Sequence, residues 1–65
     1  MKDRNGADIN IGQLVSIIGH PDLELQCNWI IIEKIDYGMN VDLVLQQATT
    51  QEVRFINVLD VQREF

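Results

Sequence analysis

The residues of this chain that could do chemistry gather in one short stretch. It holds the single histidine, two carboxylates and the single cysteine: His20, Asp22, Glu24 and Cys27. Side chains of these types bind zinc, and a cysteine beside a histidine can become a thiolate nucleophile. A structural interpretation is favoured, because His20, Pro21 and Asp22 form a turn sequence and a lone cysteine usually packs as a small apolar side chain. We therefore predict neither a metal site nor a catalytic residue here.

Two other kinds of reactive site lack their partner residues. Ser16 is the only serine, and it falls within a predicted strand with no acidic residue placed to orient a histidine. A phosphate-binding loop needs clustered glycines followed by a lysine, whereas Gly12 and Gly19 are far apart and neither is followed by one. The sequence thus predicts a protein that is not an enzyme and holds no cofactor.

Length, charge and hydropathy exclude further classes. A chain of 65 residues is enough for one domain, spanning 1–65, with little room for an enclosed active site. Ten acidic residues against five basic ones give a net charge of −5, which disfavours direct binding to nucleic acid. The longest apolar run, residues 29–32, is too short to cross a bilayer, and the polar N-terminus lacks the apolar stretch of a signal peptide. We expect a cytoplasmic protein with no membrane contact.

The elements that would position these residues are strands. Apolar residues recur mostly with a period of two and are rich in β-branched types, which predicts strands and no helix of useful length. The predicted strands cover residues 14–18, 29–35, 41–46, 52–55 and 61–64. A long loop over 23–28 follows the first strand, and a single 3₁₀ turn at Val58 and Leu59 precedes the last. Short strands at regular spacing predict an all-β barrel or sandwich.

The opening of the chain carries a folding motif. The pattern is K-D-x-N-G-x-x-I-x-x-G-D-x-V, and the matching residues are Lys2, Asp3, Asn5, Gly6, Ile9, Gly12 and Val15. Gln13 departs from the pattern, which has an acidic residue there. The motif resembles that of small phage and prophage proteins with an SH3-like barrel, including the YopX-like group. The resemblance covers the whole chain and implies a five-stranded SH3-like barrel from a bacterium or mobile element.

SH3-like barrels serve several functions, and each needs its own residues. KOW-type modules bind RNA with basic residues around the first loop, whereas this loop carries Asp22 and Glu24 and no lysine or arginine. Methyl-lysine readers and peptide-binding SH3 domains need several aromatic side chains on one surface. The aromatic residues apart from His20 are Trp29, Tyr37, Phe55 and Phe65. Because Phe55 is expected to face the core, neither aromatic surface is complete.

The alternation instead predicts large apolar residues on the outside of the sheet. The expected inward set is Val15, Ile17, Ile30, Ile32, Val41, Leu43, Leu45, Val53 and Phe55. The expected partner-binding set is Trp29, Ile31, Val44, Tyr37, Leu14 and Ile18. A contiguous exposed apolar patch usually marks an interface, and large aromatic rings are its natural anchors. We therefore predict a protein-interaction module with a protein partner, and the same patch is compatible with homodimerisation.

The acidic residues support an alternative hypothesis. The predicted acidic recognition residues are Asp22, Glu24, Asp36 and Asp42. In the main hypothesis they adjust the choice of partner. In the alternative they imitate a phosphate backbone, and the chain inhibits a nucleic-acid-binding protein. Plain solubility explains the same charge, since a magnitude of five is ordinary for a small domain. A KOW-like nucleic-acid binder is the third hypothesis.

Overall fold

Five antiparallel strands form one sheet. The computed structural model describes residues 1–64, so Phe65 lies outside the described residues. The strands are β1 (Leu14–Ile17), β2 (Trp29–Asp36), β3 (Val41–Gln47), β4 (Val53–Asn57) and β5 (Val61–Arg63). Two 3₁₀ turns, Leu23–Leu25 and Val58–Asp60, precede β2 and β5. No helix in this part of the chain is long and apolar enough to cross a membrane. The predicted all-β class, the five strands and the last 3₁₀ turn are confirmed.

The order of strands in the sheet leaves β4 and β5 at its two edges. The order is β4-β3-β2-β1-β5, so each strand pairs with its neighbour in sequence except β5, which pairs with β1. Within residues 1–64, no pairing joins β4 to β5, and the sheet is not closed into a barrel. The predicted all-β class with antiparallel strands is therefore confirmed. The strand pairings of the described residues do not close the sheet into the predicted barrel.

A β-bulge in β2 decides which of its residues face the core. The register of β2 on β3 is regular up to Ile31, after which it shifts so that Glu33 pairs with Val44. Ile32 is therefore the extra residue of the bulge. Trp29 and Ile31 are fully buried, whereas Ile32 is exposed. The predicted orientation of β2, with Trp29 and Ile31 outside, is wrong. Residues 29–32 are all apolar, so alternation alone does not fix which face is buried.

Strand β4 also has its faces reversed relative to the prediction. Ile56 pairs with Leu43 and packs against the core. Val53 and Phe55 project to the opposite face and are exposed. The prediction that Val53 and Phe55 face inward is therefore wrong. The prediction placed the charged Arg54 on the outer face. In the structure Arg54 lies on the core side of the strand, where it is half-buried and forms an ion pair with Glu52.

The hydrophobic core lies on the face of the sheet opposite to Phe55. It comprises Ile9, Val15, Ile17, Trp29, Ile31, Leu43, Leu45 and Val61. The partly buried residues packed against it are Met1, Val41, Ile56 and Val58. The predicted inward positions of β1 and β3 are confirmed, because Val15, Ile17, Leu43 and Leu45 are all buried. Burial of one such side chain contributes about 1.5–3 kcal/mol, so this cluster supplies most of the driving force for folding.

One buried polar side chain fastens the first loop to the end of β3. Gln47 is buried, and its Nε2 donates to the carbonyl of Cys27 at 3.0 Å. Its Oε1 accepts from the backbone N–H groups of Thr49 and Thr50. The side chain is thus satisfied by backbone groups on both sides. These bonds hold the loop that leads into β2 and the turn that leads into β4.

The β2–β3 turn depends on Gly38. Its φ is +92°, and its N–H donates to the Asp36 carboxylate at 2.8 Å. An added Cβ would meet no atom within 4 Å, so substitution costs only backbone strain. We expect Gly38→Ala to lower the free energy of unfolding by about 1–2 kcal/mol. Gly38→Asn should cost less, because asparagine tolerates positive φ better. Urea denaturation of both variants measures this, and equal losses would contradict a purely conformational cost.

Candidate functional site

Polar residues of the first loop form local hydrogen bonds. His20 is buried, its Nδ1 accepts the backbone N–H of Asp22 at 3.0 Å, and its ring centroid lies 6.2 Å from that of Trp29. The Asp22 carboxylate accepts the backbone N–H of Glu24 at 3.0 Å and so caps the 3₁₀ turn. Cys27 is exposed. Within residues 1–64, no group of three or more His, Cys, Asp or Glu residues is placed to hold a metal ion. The polar residues of this loop fix its conformation.

Three of the predicted partner-binding residues are not accessible to a partner. Trp29 and Ile31 are 0% exposed and belong to the core, and Val44 is 5% exposed. The indole N–H of Trp29 donates to the carbonyl of Leu25 at 2.6 Å, so both the ring and its polar edge are used within the fold. The prediction that Trp29 and Ile31 are exposed is wrong because the bulge in β2 places them inside. Val44 projects to the outer face as predicted, but it is covered there.

The other three predicted partner-binding residues are dispersed. Leu14 is half-buried and pairs with Ile30 near the start of β2. Ile18 is exposed just after the end of β1. Tyr37 is exposed in the turn beyond the opposite end of β2. Their outward positions agree with the prediction, but they do not form one continuous surface.

The predicted acidic recognition residues also lie in separate places. Asp22 and Glu24 lie in the first loop. Asp36 accepts a hydrogen bond within the β2–β3 turn. Asp42 is half-buried in β3 and accepts a hydrogen bond from the side-chain amide of Asn57 at 3.3 Å. Asp22, Asp36 and Asp42 thus have structural hydrogen bonds, and the four carboxylates do not form a continuous acidic track.

An exposed apolar surface lies on the outer face of β2, β3 and β4. Directly paired residues of an antiparallel sheet project to the same face, so the register defines three outer rows. The rows are Ile30–Gln46–Val53, Glu33–Val44–Phe55 and Ile35–Asp42–Asn57. We call the exposed residues Ile32, Val53 and Phe55 the outer patch. They are 43%, 49% and 67% exposed, whereas Val44, between Glu33 and Phe55 in the middle row, is buried and lies outside the core cluster.

The β5 edge of the sheet is covered by the N-terminal segment. The backbone N–H of Arg4 donates to the carbonyl of Val61 at 3.1 Å. The carboxylate of Asp3 accepts the backbone N–H of Arg63 at 2.7 Å. The outward C=O of Val61 and the outward N–H of Arg63 are therefore paired within the chain, so another strand could pair with this edge only by displacing these bonds.

The β4 edge is open. The N–H of Gln47 donates to the carbonyl of Glu52 at 2.8 Å, which identifies the hydrogen-bonded pairs of the β3–β4 ladder. By alternation, Arg54 directs its backbone groups to β3, while Val53 and Phe55 direct theirs away from the sheet. In the part of the chain that the structure describes, no backbone hydrogen bond satisfies these outward groups. The most exposed side chain of the outer patch thus lies on a strand with an unpaired edge.

A shallow depression lies between the first loop, β1 and β5. Its lining residues are Ser16, Cys27, Asn28, Gln62, Arg63 and Glu64. The Glu64 carboxylate accepts the backbone N–H of Asn28 at 2.8 Å and the hydroxyl of Ser16 at 3.4 Å. These bonds tie the end of the chain to the start of β2. Ser16 therefore has a structural partner here and no histidine beside it in the depression.

Sequence reasoning missed Val53, Phe55 and Ile32 as surface residues, although one signal was present. The segment of residues 53–56 is apolar at Val53, Phe55 and Ile56, so both faces of the strand carry apolar residues, and in a sheet with its core on one face the other set is exposed. No protein-family model, curated protein or solved structure matches this chain. The function is therefore inferred from the outer patch and the open β4 edge.

Proposed function

We propose that this chain is a non-enzymatic protein-interaction module that binds a protein partner through the outer patch. The observation that carries the proposal is Phe55, an aromatic side chain that is exposed beside the exposed Val53 on an unpaired edge strand. Burying such a side chain is worth about 1.5–3 kcal/mol, which the isolated fold forgoes and a partner would recover. Aromatic side chains near the centre of an interface commonly carry most of its binding energy.

The patch has the layout of an interface rather than of scattered apolar residues. Phe55 and Glu33 lie on either side of the buried Val44 in one row. Ile32 lies at the bulge in β2, and Val53 lies in the adjacent row of β4. The exposed apolar side chains are therefore bordered by a carboxylate, in the manner of an interface with an apolar core and a polar rim.

We propose that the fold is of the SH3-like barrel type, with β4 and β5 left unpaired with each other within residues 1–64. The strand order, in which β5 pairs with β1 after a 3₁₀ turn, supports it. The opening motif supports it as well, since Gly6 has a positive φ in the turn that the motif implies. The resemblance to small phage and prophage proteins of this fold supports an origin as an accessory protein of a mobile element.

Phe55→Asp tests the proposed function, with Leu23→Asp as the matched control. Leu23 is 77% exposed and lies in the first loop, in the 3₁₀ turn between β1 and β2. Immobilised wild-type protein and both variants are incubated with a bacterial lysate at moderate salt. Proteins retained by the wild type and by Leu23→Asp should be lost with Phe55→Asp, by at least about 30-fold if Phe55 contributes 2 kcal/mol or more.

Two further measurements make this result specific. Both substitutions replace exposed side chains, so both variants should remain folded in urea denaturation, with Leu23→Asp within about 0.5 kcal/mol of the wild type. Phe55→Asp should stay within about 1–2 kcal/mol, because aspartate is disfavoured in strands. Retention through the apolar patch should weaken only in part as salt is raised, whereas capture by an acidic mimic would disappear. Equal retention by the wild type and by a folded Phe55→Asp variant would refute the proposed function.

A further inference from the structure

We propose that the partner binds as an extended basic segment that adds to the β4 edge as a further antiparallel strand. The inference rests on the proposed function and specifies the class of partner. It follows from three features of β4: its unpaired backbone groups, the apolar side chains beside them and the charge of the outer rows.

The backbone of β4 offers regularly spaced donors and acceptors. The N–H and C=O groups of Val53 and Phe55 point outward from the same edge, two residues apart, as strand addition requires. The register of β4 on β3 has no bulge, and the segment contains no proline. Arg54 is the only basic residue of the strand, and its guanidinium is paired with Glu52. This edge therefore lacks most of the features that normally prevent strand addition.

The two edges of the sheet differ in how many of their outward backbone groups are paired. At β5 two of the equivalent outward groups are occupied, because Arg4 donates to Val61 and Asp3 accepts from Arg63. An incoming strand would displace these bonds at β5, whereas at β4 it would displace only water. Strand addition should therefore occur at the β4 edge.

The outer rows specify side chains for the incoming strand. A residue placed opposite Phe55 extends the row of Val44 and should be apolar, and a residue opposite Val53 should be apolar for the same reason. A residue opposite Asn57 extends the row that contains the half-buried Asp42 and should be basic. The expected pattern on the outer face of the added strand is therefore basic, apolar, apolar at alternate positions.

Charge favours such a segment over a second copy of this chain. The three outer rows contain Glu33 and Asp42 and no lysine or arginine. Two copies joined through β4 would bring together molecules with a net charge of −5 each, and a continuous outer face would carry both pairs of carboxylates. A lysine- or arginine-bearing strand meets the same carboxylates with the opposite sign.

Labelled peptides binding to the full chain test the inference. The probe is Lys-Thr-Lys-Thr-Ile-Thr-Val-Thr, in which antiparallel addition places its isoleucine opposite Phe55. N-methylation of that isoleucine removes an N–H that would bond to β4, whereas N-methylation of the next threonine alters an N–H that points away. The first change should weaken binding about tenfold or more, and the second should leave it nearly unchanged. Replacing both lysines by glutamate should weaken binding, and the difference should shrink as salt increases.

Each contrary outcome overturns the inference and is separable from failure of the proposed function. No binding of the unmodified probe, or equal effects of the two N-methylations, would exclude strand addition. A concentration-dependent dimer in light scattering that Phe55→Asp abolishes would identify a second copy as the occupant of the edge. In each case the lysate experiment with Phe55→Asp still decides by itself whether the outer patch binds a protein.

Discussion

Trp29→Ala is expected to lower the free energy of unfolding by about 3–5 kcal/mol. The side chain is fully buried in the core cluster, where truncating a tryptophan removes both packing and buried area. A domain of this size has a total stability of only about 3–10 kcal/mol, so the loss removes a large share of it. Far-UV circular dichroism and urea denaturation measure the effect, because the variant lacks the only tryptophan of the chain and hence its fluorescence.

Trp29→Phe separates packing from hydrogen bonding at this position. Phenylalanine keeps an aromatic ring in the core but leaves the carbonyl of Leu25 without the indole N–H that contacts it at 2.6 Å. We expect a folded variant with a loss of about 1–3 kcal/mol. Phe55→Ala is the matched control, since it removes an exposed aromatic ring and should change stability little. Trp29→Ala within 1 kcal/mol of the wild type would contradict the assignment of Trp29 to the core.

The contrast between these aromatic residues shows what alternation in the sequence can determine. In β3 the polar Asp42 and Gln46 flank the run from Leu43 to Leu45 and mark the outer face, and the predicted faces are confirmed. In β2 the apolar run of residues 29–32 satisfies either orientation. The bulge at Ile32 contains neither glycine nor proline, so the sequence has no local signal that predicts it. A shift of one residue in the alternation moves every side chain of a strand to the other face. The predicted bounds of β2 are therefore nearly correct, while the residues predicted to be exposed in it are wrong.

The candidate site was harder to predict than the strands because it depends on long-range pairing. The strand bounds agree with the predicted ones to within two residues. The β5 edge is covered because the Arg4 N–H donates to the Val61 carbonyl and the Asp3 carboxylate accepts the Arg63 N–H. The β4 edge has no such cover among the described residues. The sequence motif predicted only a turn at the N-terminus. Nothing in its local pattern indicates that this turn covers β5, because the paired residues lie near opposite ends of the chain.

Asp3→Ala is expected to lower the free energy of unfolding by about 2–3 kcal/mol. Asp3 is buried, its Oδ1 accepts the N–H groups of Asn5 and Ala7 at 2.8 and 2.9 Å, and its Oδ2 accepts the N–H of Arg63. Alanine leaves these donors without their partner and releases the N-terminal turn from β5. Hydrogen bonds to a charged acceptor are stronger than those to a neutral one, which places the effect above that of an ordinary turn substitution. Urea denaturation at neutral pH measures the loss.

Acid should remove the same contribution from the wild type. Burial raises the pKa of Asp3, but the three backbone donors and the Arg63 guanidinium outweigh it and hold the pKa below the ordinary value of 3.8. A carboxylate with a lowered folded-state pKa contributes stability above its unfolded pKa, and this is lost as pH falls through the folded value. The stability difference between wild type and Asp3→Asn should therefore be full at neutral pH and shrink below pH 3.8.

Asp8→Asn is the matched control for this pH dependence. The side-chain hydrogen bond from Lys2 lowers the pKa of Asp8 as well, but both side chains are exposed, and an exposed ion pair contributes little to stability. Asp8→Asn should therefore follow the acid profile of the wild type closely, while Asp3→Asn should have a flatter one. Parallel profiles for wild type and Asp3→Asn across the acid range would mean that the Asp3 carboxylate does not hold the N-terminal turn on β5. The closed state of that edge would then need another explanation.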